Sequence, residues 1–281
     1  MEQQLVEIRE QQKASWNKFS SGWKKWDDFT MEFLKPYGDA IIEQLELKAT
    51  DVVLDVAAGT GEPGLTIANM ATKGKVIITD LADDMLVVAH ENAVKKGIKN
   101  VEFSACDVSD LPFADNTFDA ISCRFGFMFF PDMLMAAKEL MRVLKPGGRI
   151  SAAVWSMPEK NFWITDIMSV LNKNMEMPVP PPGSPGLFRC AKDGMIADLF
   201  SQAGLKNISQ KEVIGKMNYD TVDMYWSLMS EVAAPVATAL NKADDSLKAR
   251  IKAEVYDTLH HRYADGQLWL ESGAYVIGGE K

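Results

Sequence analysis

A glycine turn flanked by carboxylates is the part of this chain best equipped for chemistry. Residues 55–64 read DVAAGTGEPG, with Asp55 before the turn and Glu62 within it. Gly59, Gly61 and Gly64 match the G-x-G-x-x-G spacing by which a strand-to-helix turn lets a dinucleotide pyrophosphate approach the backbone. The acids oppose that ligand, because a pyrophosphate needs N–H groups and a helix N-terminus without competing negative charge. A ligand with an adenosine half and a cationic half fits better. S-adenosylmethionine (SAM), with its sulfonium and ammonium, has both, and Asp55 and Glu62 would supply negative field beside them.

Other residues extend the same expectation. Asp80 closes the apolar run KVIITD about twenty residues past the turn, the distance at which an acid accepts both ribose hydroxyls. Asp107 suits the exocyclic amine of adenine, and the Val108 N–H a ring nitrogen. Leu81, Met85 and Phe125 offer apolar faces to purine and ribose. Gly59 and Gly61, with Ala57 and Thr60 beside them, keep the turn small enough for close approach. Arg124 closes another apolar run, so it points to the same end of the sheet. It stands for a site that binds an acceptor carboxylate or phosphate, for a backbone contact to the cofactor, or for a structural ion pair. Further catalytic candidates are His260, His261 and Tyr263, since a histidine titrates near neutrality. A solvated helix end is the commoner setting for that sequence. Methionines such as Met128, Met157 and Met168 suggest an adaptable apolar lining, although most of the 16 suit ordinary core filling.

These groups need strands that end together. DVVLDVA, KVIITD, VEFSAC, FDAISCRF and GRISAAVW are short β-branched runs of the kind buried on both faces of a parallel sheet. Helical segments separate them: one begins with Pro63 at its first position and ends at Lys73-Gly74, one spans Ala82–Lys96 before Gly97, and one spans Pro131–Leu144. The alternation predicts right-handed crossovers and a doubly wound α/β sheet. NISQKEVIG and LWLESGAYVIGG bring the expected sheet to seven mostly parallel strands, Rossmann-like in plan. Residues 1–48 read as helical, with Trp16, Phe19, Trp23, Trp26 and Phe29 on one face and a break at Pro36-Tyr37-Gly38. That stripe suits a lid over the ligand or a helix packed on the core. After Trp155 come a helical piece from Phe162 to Met175, the proline-rich MPVPPPGSPG, a helix over Ala191–Ala203, and two helical stretches within 222–262. The expected division is a lid over 1–48, a cofactor-binding core over 49–156, and the rest of the core with helical caps over 157–281.

Composition narrows the partners. The chain has 281 residues, 47% of them apolar, and a formal net charge of −9 without any long Lys/Arg run. A phosphate-gripping face is therefore not expected, which disfavours nucleic acid. No stretch approaches the roughly 18–20 apolar residues of a membrane helix. The polar N-terminus is unlike a secretory signal, so the cytoplasm is the expected location. Cys106, Cys123 and Cys190 lack metal or disulfide spacing, and the first two fall in apolar strands as small core residues. No metal is expected.

With the glycine motif, Asp80, Asp107 and Leu144-Lys145-Pro146-Gly147-Gly148-Arg149 in view, residues 50–156 resemble the class I SAM-dependent methyltransferases. The last stretch, with Phe118-Asp119 and Phe129-Phe130-Pro131-Asp132, is similar to the branch that holds ubiquinone/menaquinone C-methyltransferases and many small-molecule methyltransferases. Ala57 stands where many relatives carry a first glycine. In LKPGGR, Pro146 and Gly147 suit the centre of a type II turn, a structural role. The resemblance implies in-line methyl transfer from SAM, leaving S-adenosylhomocysteine (SAH). Phe125-Gly126 lacks the Pro-Pro-aromatic pattern of base N-methylation, and no Pro-Cys nucleophile follows that strand, which leaves a small organic acceptor. Two other readings stand beside this one: a non-catalytic SAM-binding regulatory protein, and an NAD-dependent dehydrogenase.

Overall fold

The structure, a computed structural model, describes residues 2–263 and 267–281. Two long helices come first, α1 (Glu2–Lys25) and α2 (Asp27–Leu45). Five parallel strands follow, β1 (Val52–Val56), β2 (Lys75–Asp80), β3 (Val101–Ala105), β4 (Phe118–Arg124) and β5 (Leu144–Trp155). The first crossovers carry α3 (Gly64–Met70) and α4 (Asp83–Lys95), and α5 (Met133–Val143) precedes β5. Next come α6 (Phe162–Asn174), α7 (Met195–Ala203) and β6 (Lys206–Tyr219). Helices α8 (Val222–Val232), α9 (Ala234–Leu240) and α10 (Asp245–Arg262) precede β7 (Leu268–Glu280).

The sheet has seven strands in the order β3-β2-β1-β4-β5-β7-β6, and β7 runs antiparallel to both neighbours. This is the doubly wound, mostly parallel α/β sheet expected from the alternation of short apolar strands and helices. Strand order reverses between β1 and β4, and the carboxyl ends of those strands form the crevice where such folds bind ligands. Val53, Leu54, Ile78, Ile121, Ala152 and Ala153 are fully buried, as continuous apolar runs in a parallel sheet require. On β6 exposed and buried positions alternate over much of its length, as on an edge strand with one wet face.

Several local expectations move. The N-terminal break falls at Trp26 rather than at Pro36–Gly38, and α2 runs through Pro36. One missing N–H costs a helix one bond, while the face Phe33, Leu34, Tyr37, Ile41 and Leu45 is buried against the sheet. Tyr37 is further anchored by its hydroxyl, which donates to the Ser272 carbonyl at 3.0 Å. At Trp26 the indole Nε1 donates to Glu231 on α8 at 2.9 Å, which fixes the corner between α1 and α2. Pro63 occupies the N-cap of α3 rather than its first turn, and that helix ends at Met70. Residues 222–262 hold three helices instead of two. LKPGGR lies within β5 as an irregularity, with Phe118 opposite Leu144 and Ala120 opposite Arg149. Gly147 has φ 75°, the left-handed value that the third position of a type II turn demands.

Candidate active site

The glycine turn leaves β1 at Val56 and is held from below. Asp55 is fully buried, and its Oδ2 accepts the Gly64 N–H at 2.8 Å while Oδ1 accepts the Ser122 hydroxyl at 2.6 Å. A side chain at residue 64 would place Cβ only 2.7 Å from Asp55 Oδ2, so glycine is required for the start of α3 to reach that carboxylate. Burial pushes the Asp55 carboxyl up to about 7, against the hydrogen bonds that favour its charge. Asp55 thus stays beneath the turn and does not line the cavity, which leaves its field, acting directly or through water, as its route to a ligand. Gly61, at φ 108°, and Gly64 also lie behind the turn rather than on the cavity wall. Glu62 faces the cavity, but its carboxylate is paired with Lys96 and accepts the Thr66 N–H at 3.0 Å, which offsets the field expected of it.

Above the turn lies a cavity of about 1130 Å³. Its polar wall contains Ala57, Gly59, Thr60, Asp80, Leu81, Met85, Asp107, Val108, Arg124 and Phe125. These ten of the expected cofactor residues therefore share one surface. Asp80 ends β2, where Oδ2 accepts the Gly59 N–H at 2.9 Å and Oδ1 the Ala82 N–H at 2.8 Å. Each oxygen keeps a lone pair for a ligand hydroxyl. Burial raises its pKa, and the backbone N–H groups oppose that rise. Asp107 Oδ1 accepts the Ser109 N–H at 2.9 Å, and Oδ2 pairs with Arg9 of α1 at 2.8 Å. Ala57 and Phe125 both have positive φ, 51° and 63°. Non-glycine residues held there carry roughly 1 kcal/mol or more of strain, and here they turn the ends of β1 and β4 into the crevice. The Phe125 ring stacks on Trp155 with centroids 4.0 Å apart, and Tyr37 abuts both edge-on.

The opposite wall is apolar. It draws Trp16, Trp23, Phe29, Met128, Phe129, Trp163, Met168, Met175 and Met229 from four helices and the loops beside them, together with Pro178, Pro180, Pro181 and Pro185. The proline segment is tied back where the Gly186 N–H donates to the Met128 carbonyl at 3.1 Å and Arg189 to the Phe130 carbonyl. Along one side α1 follows α4 through Lys13–Asp83 at 2.7 Å and Lys24–Glu91 at 2.6 Å, and Trp16 sets its ring edge-on to Phe129 at 5.2 Å. The Trp23 indole Nε1 is buried without an acceptor.

Other expected positions fall elsewhere. His260 and His261 are exposed in the last turn of α10, and neither lines the cavity. Tyr263 lines a separate pocket of about 540 Å³ with Phe162, Arg262 and Trp269. Met157 is exposed away from the cavity, unlike Met128 and Met168. Cys106 does reach the cavity, where burial pushes its thiol up to about 11, so it carries no thiolate at neutral pH. Arg9, Trp155, Trp163 and the proline segment are lining residues that the sequence left unassigned. The hydrophobic spacing Trp16–Trp23 was the available signal for the neighbours of Arg9. Among the described residues no group of three or more His, Cys, Asp or Glu is arranged to hold a metal.

The donor set suits an adenosine ligand with a cationic tail. Asp80 presents free lone pairs, and Gly59 has nothing within 4 Å of the place a Cβ would take.

A seven-stranded sheet of this kind, with its crevice at β1 and β4, belongs to the Rossmann-like methyltransferase class. A SAM dependent methyltransferase from Aquifex aeolicus superposes with a TM-score of 0.52 at 26% identity, covering 69% of this chain and 91% of that one. The model of the ubiE/COQ5 methyltransferase family matches residues 19–175, more than half of the chain. The demethylmenaquinone methyltransferase of Bacillus subtilis is 30% identical over 204 residues, 68% of this chain and 82% of the relative. The chain belongs to the ubiE/COQ5 methyltransferase family. The ubiquinone/menaquinone biosynthesis C-methyltransferase UbiE of Teredinibacter turnerae is 39% identical over 123 residues, 43% of this chain and 49% of the relative. This chain spans about half the length of most of the curated relatives it matches.

Proposed function

We propose that this chain is an enzyme that transfers the methyl group of SAM to a small, largely apolar organic acceptor. The observation that carries this reading is one continuous cavity whose polar wall of strand ends faces an apolar wall of tryptophan, methionine and proline. At about 1130 Å³ it exceeds the roughly 300–1,000 Å³ that a single ligand occupies. It therefore has room for a cofactor and an acceptor together.

When bound, SAM supplies a methyl group already activated on a sulfonium. Asp80 holds the ribose through its free lone pairs, and Asp107 and Val108 address the adenine edge. Leu81 and Met85 cover its faces. The helical wall excludes water and holds the acceptor in line, which is where most of the rate of such a transfer originates. Helix α1 acts as the lid, latched by Arg9 on Asp107. The exposed His260 and His261 are remote from this surface and take no part. The acceptor class is apolar and ring-bearing, and the demethylmenaquinone named for the Bacillus relative is the first compound to try.

The test is radiolabelled SAM with short-chain demethylmenaquinol and a metabolite extract, read by mass and label transfer. Label in an apolar product supports the reading. Tight SAH binding with no label transferred to any acceptor would favour a regulatory SAM-binding protein, and stabilisation by NAD alone would remove SAM from the account.

A further inference from the structure

Arg124 ends β4 and lines the cavity, yet among the described residues no carboxylate oxygen lies within the 4.0 Å of an ion pair. Its Nη2 donates to Met31 Sδ at 3.3 Å, and a thioether is a weak acceptor. The acids that act on it from further away are committed to other partners. Glu62 is paired with Lys96 and Asp55 with Gly64 and Ser122, while Asp27 accepts from Asn92 at 3.0 Å through Oδ2 and forms no ion pair with Arg124 among the described residues. Arg124 is half-buried and lines the cavity, so its planar fork of N–H groups is available to a ligand and is best completed by a carboxylate taken bidentately.

The position of the fork says which carboxylate. The strand order is β2-β1-β4, so Asp80 and Arg124 flank the glycine turn from opposite sides. Two strand spacings separate them, roughly 10 Å, the length of an amino-acid tail reaching out from a ribose. Met31 Sδ also lies 4.0 Å from the Thr60 hydroxyl, which sets Arg124 on the flank of the turn away from Asp107. With the ribose at Asp80, the tail of the cofactor runs across the turn toward this arginine.

We infer that Arg124 is the carboxylate receptor of the site and holds the methionine carboxylate of SAM. The inference rests on the SAM reading above and assigns to Arg124 a binding role, with no part in proton transfer. It also fixes the direction of the cofactor: adenine toward Asp107 and α1, amino acid toward α2 and Met31.

Binding by calorimetry separates the two readings, with SAH and 5′-methylthioadenosine as probes. The second ligand keeps adenosine and thioether but has no amino acid. Wild type should bind both, and Arg124→Gln should weaken SAH about tenfold or more while leaving 5′-methylthioadenosine unchanged. The unchanged ligand also reports that the variant is folded. Arg124→Lys keeps the charge without the fork and should fall between. Unchanged SAH affinity in Arg124→Gln would overturn the inference and leave the arginine to an anionic acceptor. Equal weakening of both ligands would overturn it too, as a general loss of pocket shape. Wild type that binds neither ligand would remove the SAM reading, and this inference with it.

Discussion

Along the wall made by β1, β2 and β4, most of the groups that line the cavity sit at or just after the last residues of a short strand. Across the cavity, the facing wall is assembled from α1, α2, α6, α8, the turn after β4 and a proline segment, each contributing a few side chains. The first wall is polar and built on backbone hydrogen bonds, such as Asp80 to Gly59 and Ala82. The second is apolar and built on ring packing. The contrast teaches that, in the proposed enzyme, cofactor recognition falls to rigid backbone geometry, while acceptor choice is left to packing that can be changed without disturbing the sheet. One buried carboxyl, Asp55, joins β1, the start of α3 and β4 beneath the first wall.

The largest effect should come from that carboxyl. Asp55 has a folded pKa of about 7 against an ordinary 3.8, so between those values the folded state binds more protons than the unfolded one. Stability should then fall as pH rises from about 4 to about 7 and level off above, a change of roughly 2–4 kcal/mol. Asp55→Asn keeps the acceptor for Gly64 and removes the titration, so thermal melts should show the wild-type loss over that window shrink or vanish in the variant. A wild-type profile without that slope would mean that Asp55 is ionised throughout.

Next is the polar wall itself. Asp80→Ala should weaken SAH binding by roughly 10–100-fold, the value of one or two hydrogen bonds to a charged group, with the acceptor KM little changed. Calorimetry and initial rates measure the two. If the acceptor KM moved as much as the SAH affinity, the division into two walls would be wrong. The mirror-image change is Met168→Ala, which shortens a side chain of the apolar wall. It should raise the acceptor KM by roughly threefold to tenfold and leave SAH affinity within error.

The smallest effect should be Arg9→Ala. The pair Arg9–Asp107 is half-exposed, 33% and 19% by side chain, and such pairs contribute roughly 1 kcal/mol or less. Stopped-flow measurements should show SAH dissociating a few-fold faster than from wild type, and added salt should narrow that difference.

The same contrast explains what could be read before the structure. The crevice was legible because glycine spacing, β-branched runs and acids at strand ends obey local rules: Asp80 and Gly59 meet through backbone geometry, and ten of the twelve expected cofactor positions share one wall. That the Asp55 carboxylate points beneath the turn was not legible, because its direction is set by Ser122 on another strand and is invisible in a single run of sequence. Gly61 likewise turns away, packed on Leu65 and Ala89. The helical wall was legible only as periodicity. That the Trp16–Trp23 stripe faces a cavity rather than plain core depends on partners two hundred residues away, such as Glu231 with Trp26. Pro36 looked like a stop because helix rules carry no account of the buried face around Tyr37. His260 and His261 drew attention by chemistry alone, and the end of α10 sets them in solvent.

The most direct measurement is a crystal structure with SAH bound. The account predicts adenosine against Asp80 and Asp107 and the thioether sulfur at the junction of the two walls, open toward Trp23, Met168 and the proline segment. Adenosine lodged among those tryptophans and methionines, or a sulfur facing away from them, would contradict it.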